Sequence, residues 1–77
     1  MKLYEIANGY VFAVCRDGRV DAWGERVVAG TLFDTVDGAV QTNAFLTGPS
    51  FMDDDTLIRC AVDAMFDTRV VRCMTMA

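Results

Sequence analysis

Residues 39–66 read AVQTNAFLTGPSFMDDDTLIRCAVDAMF, and within this stretch the hydrophobic period changes from two to nearly four. Ala39 to Leu46 alternates, with Val40, Ala44 and Leu46 on one face and Gln41 and Asn43 with Phe45 on the other, the pattern of a strand with one face in water. Thr47-Gly48-Pro49-Ser50 interrupts it. Asp53-Asp54-Asp55-Thr56 then reads as a helix start, because carboxylates cap free N–H groups and sit favourably at the positive end of the helix dipole. From Leu57 to Phe66, Leu57, Ile58, Ala61, Val62, Met65 and Phe66 cover about half the circumference, and Cys60 and Ala64 extend that face. Thr56, Arg59, Asp63 and Asp67 leave a polar stripe of only about 80°. Either a sheet curls around this helix or a partner covers the remainder.

Toward the N-terminus, turn dipeptides punctuate the chain. Asn8-Gly9, Asp17-Gly18 and Asp37-Gly38 accept the positive φ angles of tight hairpins, and Gly24-Glu25 is a fourth candidate. Between them Leu3 to Ala7, Tyr10 to Cys15, Arg19 to Trp23, Arg26 to Phe33 and Ala39 to Leu46 have strand length and strand composition. Tyr10 to Cys15 is apolar on both faces, as expected for a central or doubly covered strand. After Thr68, Arg69 to Met76 returns to strand composition. The expected fold is α+β: a small antiparallel β-meander of about five to six strands packed with one α-helix in the C-terminal half, residues 1–77 forming a single compact domain.

The chain has 77 residues, a formal charge of −4 and no histidine. Counting glycine as apolar and setting tyrosine aside, about 58% of it is apolar against a norm of about 45–50%. In so small a domain that excess implies apolar surface meeting another molecule. With nine Asp and two Glu against Lys2 and six Arg, there is no basic field for phosphates, which disfavours direct nucleic-acid binding and favours basic partner surfaces. Cys15, Cys60 and Cys73 form no C-x-x-C and are an odd number, so they read as small buried hydrophobes in a reducing cytosol. No apolar run approaches a membrane span, and Lys2 and Glu5 argue against a leader at Met1. The expected location is cytoplasmic.

Absent histidine removes Ser-His and Cys-His couples, an imidazole base and His-containing zinc sites. The acidic triplet has neither the alternating ligands nor the central glycine of a calcium loop, and no phosphate-cradling glycine motif occurs. No cofactor, metal or catalytic residue is expected. Asp53, Asp54 and Asp55 read first as a helix cap, and compatibly as a contact for an Arg or Lys cluster on a partner. Asp63 and Asp67 on the helix stripe, with Asp34 and Asp37 at a hairpin, could extend such a patch. The same acids also serve solubility. Trp23, before a turn glycine, and Phe51, in a connection, are candidate interface anchors.

In size, acidity and lack of catalytic motifs the chain is similar in type to small virus-encoded inhibitors of host defence, such as anti-CRISPR proteins. That similarity implies a non-enzymatic module that occludes a basic site on a larger protein or ribonucleoprotein, and no residue role follows from it. The alternative is an assembly subunit whose excess apolar surface closes a homodimer or small oligomer, with Arg69 to Met76 as an exposed edge strand.

Overall fold

The computed structural model describes residues 1–35 and 40–76, with Val40 and Gln41 described by backbone alone. Five strands and one helix follow in the order β1 (Lys2–Ile6), β2 (Tyr10–Val20), β3 (Glu25–Asp34), β4 (Val40–Pro49), α1 (Asp54–Phe66) and β5 (Val70–Thr75). They form one sheet of order β4-β3-β2-β1-β5 in which every neighbouring pair is antiparallel. The fold is α+β, a four-stranded meander whose helix carries the chain from one sheet edge to the other. The Asp37-Gly38 dipeptide lies outside the described residues.

Two expected strands are one. Asp17-Gly18 does not turn the chain; β2 runs through it to Val20, and its pairing with β3 shifts register between Val14 and Arg16 and again between Arg16 and Arg19. Gly18 is required by close approach instead. Its N–H donates to Asp54 Oδ2 at 2.8 Å, and a Cβ on residue 18 would collide with the Asp54 carboxylate. Turns do form at Gly9 (φ 93°) and Gly24 (φ 80°), where glycine escapes the strain of a left-handed backbone.

One face of the sheet meets the helix. Tyr4, Ile6, Phe12, Val28 and Leu46 alternate onto it from four strands and pack with Leu57, Ile58 and Val62 of α1 and with Val70. The Phe12 ring lies over Gly30 on the neighbouring strand, where any Cβ would strike it. At the far end of the helix the Phe66 and Tyr10 rings sit 5.2 Å apart. The helix starts at Asp53, whose side chain accepts from Thr56 N, and ends at Asp67 in the left-handed region (φ 52°) with its N–H on Asp63 O.

The sheet does not curl around the helix. Met65 is 50% exposed, and Cys60 and Ala64 are exposed beside it. All three cysteines are exposed, which corrects the reading of them as buried hydrophobes. Cys60 lies on the outer flank of α1 and Cys15 on the sheet face away from the helix, while Cys73, on the edge strand β5, is exposed at the rim of the core beside Tyr4.

Candidate partner-binding surface

The pairing of Glu25 with Pro49 sets the β2–β3 turn and the β4–α1 connection side by side at one end of the sheet. Each is held internally. In the turn, Asp21 Oδ1 accepts from Trp23 N at 2.9 Å and Glu25 N at 3.0 Å, while Gly24 N donates to Asp21 O. In the connection, Met52 N donates to Pro49 O at 3.1 Å, and Arg26 Nη2 reaches across to Ser50 O at 3.1 Å. These braces present two aromatic side chains to solvent, Trp23 at 86% and Phe51 at 87% exposure.

The acidic triplet stands at the same end, and each member has an internal task. Asp53 Oδ1 accepts from Thr56 N at 2.7 Å, and the Thr56 backbone N–H and side chain hold the carboxyl below its ordinary range. Asp54 bridges Gly18 N and Arg26 Nη1, tying the helix start to β2 and β3. Asp55 accepts from the Tyr4 hydroxyl at 3.0 Å and from Arg59 Nε at 2.9 Å. Burial, then the bonds to Asp55 and Cys73, push the Tyr4 phenol well above its ordinary range. The Asp55 pairing likewise raises Arg59.

The structure therefore brings Trp23, Phe51, Asp53, Asp54 and Asp55 to one end, where Asp21 and Glu25 join them. Asp34 lies opposite Tyr10 at the other end of the sheet, and Asp63 and Asp67 lie toward the Phe66 end of the helix. Those three acids do not join the patch. Asp37 lies outside the described residues.

No family model, curated protein or solved structure matched this chain.

A second surface had only a faint sequence signal. On the sheet face away from the helix, Leu3, Val11, Ala13 and Phe33 line an apolar hollow of about 390 Å³. Phe45, which pairs with Ala29 on the same face, is 70% exposed. The double-sided apolar pattern of Tyr10 to Cys15 was its trace in the sequence; what covers the second side was not legible there. Among the described residues no group of three His, Cys, Asp or Glu is placed to hold a metal ion, and no helix is long and apolar enough to cross a membrane.

Proposed function

We propose that this protein is a non-enzymatic binding module that docks its Trp23–Phe51 end onto a basic site of a larger protein or ribonucleoprotein and occludes it. The observation that carries the reading is the pair of nearly fully exposed aromatics on braced backbone beside Asp21, Glu25 and the acidic triplet. Rigid aromatic side chains contribute large contact area at low entropic cost, and surrounding acids supply on-rate and selectivity for a basic partner. A virus-encoded inhibitor of a nucleic-acid-handling machine is one form such a module takes, consistent with a cytoplasmic target.

The acids are poor handles for a test, because Asp53, Asp54 and Asp55 also hold the helix to the sheet. Trp23 and Phe51 are better ones. A tagged wild-type chain is expected to capture a defined partner with a basic surface, less well as salt rises, and Trp23→Ala/Phe51→Ala is expected to lose it while keeping its circular dichroism and melting temperature. An identical captured set for the folded double variant overturns the reading. Self-assembly, the second reading, is favoured by the uncovered sheet face.

A further inference from the structure

We infer that the sheet face opposite the helix is the interface of an isologous homodimer, in which each Phe45 seats in the hollow of a second copy of this chain. The inference is independent of what the Trp23–Phe51 end binds.

The hollow has a simple origin. Ala13 pairs laterally with Leu3 on β1 and Thr31 on β3, and Val11 and Cys15 flank it along its own strand. A methyl group surrounded by larger side chains makes a depression, and among the described residues Ala13 is the buried apolar one that stands outside the helix-facing core. On the same face Phe45 projects from the outer strand β4. A knob and a hole on one surface, displaced from each other, are what a two-fold axis needs, since residue i then meets j while j meets i.

Area and charge point to the same occupant. The molecule measures 37 × 27 × 20 Å, and the shortest dimension fits the sheet-plus-helix thickness. The open face spans at most the two longer dimensions, wide enough to hold a standard interface of roughly 800 Å² per partner. By register this face carries Arg16, Arg19 and Arg72 against Glu5 and Glu25, with Arg72 Nη2 2.7 Å from Glu5 Oε1. The five acids of the helix region, Asp53, Asp54, Asp55, Asp63 and Asp67, lie with α1 on the other side. A chain of net charge −4 repels its copy least through a face without that excess of acid.

Sedimentation equilibrium of the full chain tests this. The wild type is expected at twice 8.5 kDa, Phe45→Asp at the chain mass, and Met65→Ser, which removes an exposed apolar side chain from the helix, still at twice that mass. In the same wild-type samples Cys15, on the face, should become protected from alkylation as concentration rises while Cys60, on the helix, stays reactive. This readout decides the matter even if Phe45→Asp fails to fold. A monomer at every concentration overturns the inference and leaves the face to a different protein. So do a dimer indifferent to Phe45→Asp in a folded chain, a mass that grows without limit, or equal alkylation of Cys15 and Cys60 throughout.

Discussion

At the scale of single residues, the fold depends on places where a side chain cannot be. Gly30 lies under the Phe12 ring, so Gly30→Ala must displace that ring from the middle of the core. Overpacking of this kind costs about 1–3 kcal/mol, and urea unfolding should read a loss in that range. Gly18 gives the Asp54 carboxylate access to the β2 backbone in the same way. Tyr4 adds a dependence on pH. Its folded phenol titrates above the ordinary value of about 10, so its contribution is complete below that pH and is lost as the solution becomes more alkaline. Tyr4→Phe should lower the melting temperature at pH 7 and flatten its decline above about pH 10. A decline as steep as that of the wild type would place the alkaline sensitivity elsewhere. Neither glycine contact was legible in the sequence, because Asp17-Gly18 has the form of a hairpin turn while the partner that uses the glycine lies 36 residues away.

The helix was the most legible element, and its start the most legible detail. Asp53 caps it as the run of acids implied, and its lowered pKa fixes the sign of the acid dependence. The stabilisation is present above about pH 4, the ordinary range of an aspartate, and disappears as pH falls through the folded value. Asp53→Ala should lower the melting temperature at pH 7, and its melting curve should converge on that of the wild type in acid. A difference that persists unchanged at low pH would contradict the cap as its source. The strands were legible in pattern but not in boundary, and two of the expected segments are one strand. Arg19 to Val20 belongs to β2, because register shifts absorb the extra residues that a local reading takes for a turn. Alternation also shows only that a face is apolar. It identified both sides of Tyr10 to Cys15, and only the pairing order shows that the helix takes one of them and that no other described element takes the other.

For the whole molecule, the consequence of this topology is a division of surfaces. The helix passes from β4 to β5 over one face, with its Asp-rich start braced at the end where Trp23 and Phe51 project. The opposite face holds an apolar hollow, is nearly balanced in charge and is wide enough to meet a second copy. Sequence reasoning supplied Trp23, Phe51 and the triplet as candidates without showing that they share an end, since that depends on Glu25 pairing with Pro49 across 24 residues. It also grouped Asp34, Asp63 and Asp67 with them, whereas the direction of β3 carries Asp34, and that of the helix carries Asp63 and Asp67, to the other end. The most direct measurement is photo-crosslinking to the captured partner from a photoreactive phenylalanine placed in turn at positions 51, 45 and 65. The account predicts adducts to a basic surface of the partner from position 51 and adducts only to a second copy of the chain from position 45. Partner adducts from position 65 with none from 51 would contradict it.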